Sequence, residues 1–485
     1  MIGVPRGFLF AQQRPVSHRA LMRLFSFFAL LCVATHLASA AGTLVSGPML
    51  GYRAHRETVI VLETRDAREV RIDYQVEGRP ETARSKTITA PWVSPAGGQP
   101  MKFVLPLLEM GSSYTYTLTI DGQLQTVPYP LAFKTTDLWE WRKAPPDFSF
   151  LFGSCAYLND SAYDRPGTPY GKGTEIFRHM AESGADFTLW GGDNLYLREA
   201  DYSSESGIWY RYSHDRATPD LQKLYAAMHH YATWDDHDYG PDNANQSFEF
   251  KDVTLAAFKT YWGNPTYGET DNPGVYGKFV WGDAAFFLMD DRTHRDDTTL
   301  DQEKNPRKTA WGDRQITWLK QSLLHAKALK NYRFKFIVTG GQVVQSSVKD
   351  RSETHELYRR EREELIDFIQ VNKITGVIFL TGDVHHTGLY RRPLGDNRSI
   401  YELTSSPFSS GSWNAATSEK ARDPLVVPGT LVGTQNYCQL RLTGPKDARA
   451  VVIRCYDKSN AFQWEHTIPA ADLEIAPPAK TSSAP

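Results

Sequence analysis

The pattern of apolar and polar positions changes once along the chain. Between residues 43 and 136, short runs alternate apolar and polar side chains, and Gly, Pro and Asp turns separate them. The runs are TVIVLET, REVRIDYQV, MKFVLPL, SYTYTLTI and YPLAFKT. A period of two is typical of strands that bury one face, and no segment here has a helical period. The region 43–136 is therefore predicted to be a small all-β sandwich.

From residue 148 onward, apolar runs alternate with amphipathic stretches of helical period. The runs are FSFLF (148–152), DFTLW (186–190), HYATW (230–234), AAFFLM (284–289), RFKFIV (333–338) and GVIFL (376–380). Between several of them lie TEIFRHMAES, DRQITWLKQSLLHA and HELYRREREELIDFIQ. This alternation is typical of an α/β domain with a buried, largely parallel sheet. We predict such a domain over residues 148–470, a linker at 137–147 and a disordered tail at 471–485.

Two alternating segments near the carboxyl end, NYCQLRLTG and AVVIRCYD, predict a hairpin. Pairing Cys438 with Cys455 gives one apolar face, because Leu440 then lies opposite Ile453 and Leu442 lies opposite Val451. A cross-strand disulfide and two buried thiols both fit this register. Cys155 would remain unpaired, so in an oxidising compartment we expect it to be deeply buried or bound to a ligand.

Residues 1–40 have the features of a secretory signal peptide. Met22-Arg23 is followed by LFSFFALLCV and by the small residues Ala38-Ser39-Ala40. We expect cleavage after Ala40 and export to the periplasm or the extracellular space, with Met22 as an alternative true start. No later segment approaches the roughly 20 apolar residues of a membrane span. The net charge of −2, without a basic stripe or tail, argues against nucleic acid as a bulk partner.

Chemically active side chains follow nearly every apolar run of the second region. The segments are GSC (Cys155), GGDNLY (Asp193 and Tyr196), TWDDHDYG (Asp235, Asp236, His237 and Asp238), DDR (Asp290, Asp291 and Arg292), TGGQ (Gln342) and TGDVHH (Asp383, His385 and His386). Ligands of open α/β sheets bind just outside the carboxyl ends of the strands. Singly, each motif has a structural explanation, such as a helix cap or a turn. Together, so many carboxylates on one rim predict a metal site, because they would destabilise the fold without cations.

In this order and on these strand ends, the motifs resemble those of the PhoD-type alkaline phosphatases, which belong to the calcineurin-like metallophosphoesterases. The matching motifs are GSC, GDxxY, WDDHD, MDDR followed by QxxWL at 315–319, and TGDVH. The resemblance covers roughly residues 43–470. It implies a four-layer α-β-β-α domain, with two mixed sheets between helices and metals at their common rim. It also implies that the preceding β-sandwich is fibronectin- or immunoglobulin-like.

The resemblance implies ferric iron together with calcium, with another divalent metal as the alternative at the second site. A thiolate and a phenolate suit iron, whereas carboxylates suit Ca²⁺. By this resemblance Asp193 bridges the metals, Cys155, Tyr196 and His385 complete the iron site, and Asp236 and Asp383 hold the second metal. Two further roles are expected to be catalytic: His237 protonates the leaving oxygen and Arg292 forks onto the phosphate oxygens. Outer candidates for substrate contact are His214, Asn243, Asn245 and Gln342.

The implied function is a secreted phosphatase that hydrolyses small phosphate monoesters at neutral to alkaline pH, through a metal-bound hydroxide at a dinuclear or larger site. The alternative is a phosphodiesterase or phospholipase-D-like hydrolase on the same site. The choice between them is expected to depend on two rim loops, 198–220 and 404–414. A third hypothesis is a binding module with a dead catalytic domain. Intact motifs at every strand end argue against it.

Overall fold

The computed structural model describes residues 42–160, 162, 164, 166–345, 353–394, 398–413 and 423–474. The predicted signal peptide and its cleavage site lie outside these residues, as does most of the predicted tail. Within the described part of the chain, no helix is both long and apolar enough to cross a membrane.

The named strands follow the chain order. They are β1 (Thr43–Arg53), β2 (Glu57–Arg65), β3 (Glu69–Val76), β4 (Arg79–Thr89), β5 (Gln99–Pro106), β6 (Ser113–Ile120), β7 (Gln123–Leu124), β8 (Ala132–Lys134), β9 (Phe148–Gly153), β10 (Phe187–Gly191), β11 (His229–Thr233), β12 (Gly277–Trp281), β13 (Ala284–Leu288), β14 (Phe334–Val338), β15 (Val377–Thr381), β16 (Gly388–Pro393), β17 (Ser399–Thr404), β18 (Asn436–Thr443), β19 (Ala450–Asp457) and β20 (Phe462–Pro469).

The helices lie between strands of the second region. The α-helices are α1 (Glu175–Ala181), α2 (Glu205–Arg216), α3 (Pro219–Ala227), α4 (Asp236–Tyr239), α5 (Lys251–Tyr261), α6 (Asp313–Leu329) and α7 (Arg359–Val371). His355–Tyr358 and Ala470–Leu473 form 3₁₀ helices.

Two sheets face each other across an aromatic core. One has the strand order β20-β19-β18-β9-β10-β11-β1-β2-β5, and the other has the order β12-β13-β14-β15-β17-β16. Phe150 of the first sheet lies edge-on to Phe286 and Phe336 of the second, with ring centroids 5.3 and 5.5 Å apart. Apolar residues of α1, α3 and α5 cover the outer face of the first sheet, and those of α6 and α7 cover the second. The chain therefore has the predicted four layers.

The first region is a β-sandwich that shares a sheet with the second. Strands β3, β4, β6, β7 and β8 form one layer, and its apolar side packs on residues of β1, β2 and β5. β1 then pairs in parallel with β11, with Leu50 opposite His229. His229 Nδ1 lies 2.7 Å from the Gly51 carbonyl oxygen. Hydrogen bonding thus crosses the predicted boundary, and the division into domains at 43–136 and 148–470 stays a prediction.

The predicted hairpin near the carboxyl end is confirmed. Cys438 lies opposite Cys455, with Leu440 opposite Ile453 and Leu442 opposite Val451. Both cysteines are buried free thiols in the structure, and so is Cys155.

Two expected boundaries need correction. The 3₁₀ helix Ala470–Leu473 buries Leu473, so the ordered chain extends past residue 470. The segment 198–220, expected to be a rim loop, contains α2, whose N-cap Ser204 accepts a hydrogen bond from the Gly207 backbone N–H at 3.2 Å. That hydroxyl satisfies a backbone donor that a helix start would otherwise leave unpaired.

Candidate metal centre

The carboxyl ends of six strands meet at one rim of the two sheets. β9, β10 and β11 run parallel in one sheet, and β13, β14 and β15 run parallel in the other. A hydrogen bond joins the two sheets there: Trp234 Nε1, after β11, donates to Asp290 Oδ1, after β13, at 2.9 Å. The residues after these strands therefore lie together, as the sequence predicts.

The first group of donors surrounds one oxygen of Asp193. Cys155 Sγ and Tyr196 Oη donate to Asp193 Oδ2 at 3.4 and 3.0 Å. His385 Nε2 lies 3.2 Å from Tyr196 Oη. Cys155, Asp193 and His385 each offer a ligand atom, and these atoms lie within 4.8 Å of one another. The residues predicted for an iron site are thus brought together.

The backbone at this group is held in the left-handed region. Cys155, Asp193, Asp383 and His385 have φ values of 60°, 50°, 65° and 52°. Such values are uncommon outside glycine and cost free energy, so they persist only where surrounding contacts enforce them. Cys155 is an example, because its carbonyl accepts hydrogen bonds from Ser409 and Ser410 and its amide donates to Gly192. The chain turns sharply at each strand end and aims these side chains at one point.

Two further groups of donors continue from the first. Asp193, Asp236 and His237 form the second group, and Asp235, Asp236 and Glu353 form the third. Asp193 belongs to the first two groups, and Asp236 belongs to the last two. Neighbouring metal ions in a hydrolase site share ligands. Asp193 and Asp236 each belong to two groups and are placed for such sharing.

The electrostatics of these groups fit cation binding. Burial, together with the charges of Cys155 and Asp236, raises the pKa of Asp193 well above its usual value. Burial also raises the pKa of Cys155 to about 12 and that of Asp236 to about 7. Asp235 Oδ2 and Glu353 Oε1 are buried and accept no hydrogen bond from the described residues. The site thus buries a thiol, a phenol, imidazoles and carboxylates close together. Metal ions would bind these donors and would offset the cost of burying their negative charge.

His237 and Asp383 lie at the open side of the centre. The rings of His237 and Tyr196 are in contact, with centroids 4.2 Å apart and planes tilted by 33°, and His237 Nε2 lies 3.7 Å from Asp242 Oδ1. Burial lowers the pKa of His237 to about 4. Asp383 is half-buried, and its negative charge acts on Cys155 and Asp235. Its carboxylate belongs to none of the three donor groups found among the described residues.

Arg292 is placed differently from its predicted role. Its side chain is fully buried, and its guanidinium forks onto Asp235 and Glu353. Nε donates to Asp235 Oδ1 at 2.6 Å. The donors expected to bind phosphate oxygens are therefore engaged by two carboxylates of the protein. The physical reason is the third donor group, whose negative charge attracts the nearest cation.

Other predicted substrate contacts also have partners within the protein. His214 is held on both ring nitrogens, by Asp215 at 2.8 Å and Asp160 at 2.9 Å, so it does not reach the centre as a free side chain. The backbone N–H of Asn243 donates to Asp236 Oδ2 at 2.7 Å, which orients that carboxylate. Asn245 donates to Asp297 and Gln342 donates to Thr404. Asn243 thus contacts a predicted ligand, Asp236, through its backbone.

Three residues of the centre were not predicted from the sequence. Glu353 completes the third donor group, Ser406 Oγ donates to Cys155 Sγ at 3.1 Å, and Tyr170 Oη lies 3.0 Å from His385 Nδ1. None of them follows an apolar run directly on one of the predicted strands. Ser406 lies in TSSPF, within the predicted rim segment 404–414, and this is the one signal that could have drawn attention to it.

The four layers, with overlapping groups of metal-ligand side chains where both sheets end, define a metallophosphoesterase-type fold. The model of the PhoD-like phosphatase family matches residues 150–440, and the chain belongs to that family. Alkaline phosphatase D of Bacillus subtilis (strain 168) is 26% identical over 279 residues, which are 50% of this chain and 46% of that relative. The alignment thus spans about half the length of the curated relative.

Solved structures show the same fold. A PhoD structure superimposes with a TM-score of 0.70 at 18% identity, over 90% of this chain and 93% of the other. The purple acid phosphatase PPD1 from yellow lupin (Lupinus luteus) gives a TM-score of 0.60 at 12% identity, over 90% of this chain and 78% of the other. Both matches cover more of the chain than the family region does.

Proposed function

We propose that this chain is an exported metal-dependent phosphatase that hydrolyses phosphate monoesters. The observation that supports the proposal is the chain of three donor groups linked through Asp193 and Asp236. A site of this kind can hold adjacent cations at the distance that two-metal hydrolases use. Family membership supports the reaction class, and the hydrolysis of monoesters and the export are parts of the proposal.

The proposal assigns the predicted ligands to two metal ions. Asp193, Cys155, Tyr196 and His385 would hold ferric iron, because soft and phenolic donors prefer a transition metal. Asp236 and Asp383, together with Asp193, would hold calcium or another divalent ion. When bound, the cations supply a nucleophile from water and offset the charge of the phosphoryl group. Arg292 does not bind substrate in this proposal, since it neutralises Asp235 and Glu353 instead.

His237 is positioned to assist the leaving oxygen. Its side chain is 11% exposed, whereas Cys155 and Tyr196 are fully buried, so a small phosphate ester approaches from the side of His237. The contact with the Tyr196 ring holds the imidazole of His237 in place. That imidazole can donate a hydrogen bond to the leaving oxygen. Although His237 lies within the second donor group, the proposal assigns metal binding there to Asp193, Asp236 and Asp383. His237→Ala is therefore expected to keep its metal and to lose most of its turnover.

One experiment tests the reaction class and the metals together. The purified protein is subjected to elemental analysis and is assayed with p-nitrophenyl phosphate and bis(p-nitrophenyl) phosphate. We expect iron and calcium in stoichiometric amounts and faster hydrolysis of the monoester. Faster hydrolysis of the diester would favour the phosphodiesterase hypothesis over the monoesterase hypothesis. Full metal content without hydrolysis of either ester would favour a binding module.

A second experiment tests the ligands of the iron. A ferric phenolate gives a visible charge-transfer band, so Tyr196→Phe should abolish the colour while the far-UV circular dichroism stays unchanged. Cys155→Ser should shift the band and lower activity. Tyr170→Phe is the matched control, because Tyr170 contacts His385 from the other ring nitrogen and should leave the band in place. A colourless, iron-free wild-type protein would contradict the assignment.

A further inference from the structure

The predicted linker forms one wall of a second cavity. The cavity has a volume of about 580 Å³. It is lined by linker residues 139 and 141–145, by residues 327, 330–333 and 335 around the end of α6 and the start of β14, and by Asp283, Thr375, Lys446 and Glu474. We name it the basic groove. Its volume lies within the range of small-molecule sites in proteins.

The basic groove lies at the opposite end of the strands from the metal centre. Asp283, Arg333 and Thr375 stand at or just before the starts of β13, β14 and β15. The rim of the metal centre lies at the other end of these strands, where Asp290 follows β13 and His385 follows β15. Each strand has five residues, which places the two sites at least about 16 Å apart. A ligand in the groove therefore does not contact the predicted metal ligands.

The charge of the groove is strongly positive although the chain as a whole has a net charge of −2. Seven Lys and Arg side chains line it, against two carboxylates. Asp283 is neutralised by Arg449, whose NH2 lies 2.9 Å away, and Glu474 pairs with Arg333 at 3.2 Å. The remaining positive charge includes the exposed Lys330 and Lys446. Concentrated charge of one sign in a concave site attracts ligands of the opposite sign.

Two tryptophans of the linker give the groove an aromatic component. Trp141 is 85% exposed, and its φ of 65° is unusual for a bulky residue. Trp139 also lines the groove and is half-buried. An exposed ring beside cationic side chains can stack on a flat group while the cations bind the charged part of the same ligand.

We propose that the basic groove binds an oligophosphate that carries a planar ring. The phosphates contact the Lys and Arg side chains that have no carboxylate partner in the groove, such as Lys330 and Lys446, and the ring stacks on Trp141. This site is separate from the metal centre and does not depend on the catalytic activity.

The binding experiment uses two probes that a phosphatase cannot cleave at the terminal bridge: the β,γ-imido analogue of ATP and imidotriphosphate, which lacks the ring. Binding to the full-length mature protein is measured by calorimetry and by quenching of Trp fluorescence. We expect saturable binding of both probes, with the ring-bearing probe about tenfold tighter. Trp141→Ala should remove this tenfold difference and leave the affinity for imidotriphosphate within twofold of wild type.

Matched charge variants separate the groove from general electrostatic attraction. Lys330→Asn with Lys446→Gln should weaken both probes at least tenfold; Asn suits the left-handed backbone of Lys330, whose φ is 57°. Lys86→Gln with Lys304→Gln removes the same charge from exposed positions elsewhere and should change affinity less than twofold. Equal losses in both double variants, loss of binding in Asp236→Ala, or the absence of binding by the wild type would each overturn the proposal.

Discussion

Three aspartates within four consecutive positions have three different partners. Asp235 binds the guanidinium of Arg292, and Asp236 belongs to two groups of metal-ligand atoms. Asp238 accepts hydrogen bonds from the backbone N–H groups of Asn194 and Asp235, at 3.0 and 3.1 Å. The start of α4 separates them, because successive side chains of a helix point in different directions. Their substitutions should therefore have different effects.

Asp236→Asn should lower the affinity for the second metal at least tenfold and leave the free energy of unfolding nearly unchanged, since the amide keeps the shape and loses the charge. Isothermal titration with Ca²⁺ and urea unfolding measure the two quantities. Asp238→Asn is the matched variant, and it should bind metal normally while losing about 1–3 kcal/mol of stability, because its buried backbone donors lose a carboxylate acceptor. The reverse outcome would assign the metal to Asp238.

Arg292→Lys tests whether this buried cation serves structure or substrate. An ammonium cannot reproduce the fork onto Asp235 and Glu353, so we expect a loss of about 3–5 kcal/mol in urea unfolding. The folded fraction of the Arg292→Lys variant should hydrolyse a monoester with a KM within twofold of the wild-type KM. Arg454→Lys, at the exposed pair with Glu465, is the control and should cost less than about 1 kcal/mol. Wild-type stability with a tenfold higher KM would restore Arg292 as a phosphate ligand.

At the scale of elements, the apolar runs of the second region predicted the strands that carry the centre. β9, β10, β11, β13, β14 and β15 all lie where a run was identified. These strands are buried on both faces, so their sequences are continuously apolar and easy to recognise. Because such strands share a direction, the residues after them had to meet at one rim. This is why Cys155, Asp193 and Asp236 could be found without a structure.

Elements with a mixed pattern were missed for a physical reason. β4 is largely exposed, and α2 buries Arg211, Ser213, Asp215 and Arg216 together with apolar residues. Arg211 is satisfied inside the protein by Asp201 and Asp215, at 3.0 and 3.1 Å. Buried ion pairs of this kind remove the apolar period on which helix prediction depends. Glu353 was missed similarly, since its partners come from distant segments that no local pattern relates.

Lys335 offers a prediction about β14. Burial lowers the pKa of Lys335 to about 8, and its Nζ donates to the Tyr332 carbonyl at 2.8 Å. Because the pKa of Lys335 is lower when folded than when unfolded, the wild type should gain stability as the pH rises from about 8 towards the unfolded value near 10.5. Lys335→Met should be more stable by about 1–3 kcal/mol at pH 7.5, with a smaller advantage at pH 10.

Urea unfolding at the two pH values measures this difference. Lys278→Met, on the exposed side of β12, is the control and should show no advantage at either pH. An equal gain from both substitutions would indicate a general effect of added apolar surface and would contradict the role of the buried charge.

At the scale of the whole molecule, the β-sandwich and the second region share one core. Met49, Val59 and Val61 pack in the same apolar cluster as Trp190 and residues of α5. Hydrogen bonds also connect the two regions. Ser213 Oγ donates to Glu63 at 2.9 Å, and the Gly47 backbone N–H donates to Gln222 at 2.8 Å. The two regions should therefore unfold as one unit.

Removing residues 1–136 tests this expectation. The shortened chain would expose the edge of β11 and the apolar surface that β1, β2 and β5 cover, so we expect insoluble protein or the loss of a cooperative thermal transition. The chain from residue 42 onward is the control and should show one transition that coincides by far-UV circular dichroism and Trp fluorescence. A soluble shortened chain with the same melting temperature would show that the second region folds independently.

The separation of charge along the strands has a consequence for how the molecule meets a surface. The metal-ligand groups lie at the rim where the strands of both sheets end, and Lys and Arg side chains gather where β13, β14 and β15 begin. The basic groove therefore gives one end of the strands a local positive charge that the small net charge of the chain conceals. Near an anionic surface we expect the basic end to turn inward, so that the catalytic opening faces the solution from which a dissolved ester arrives.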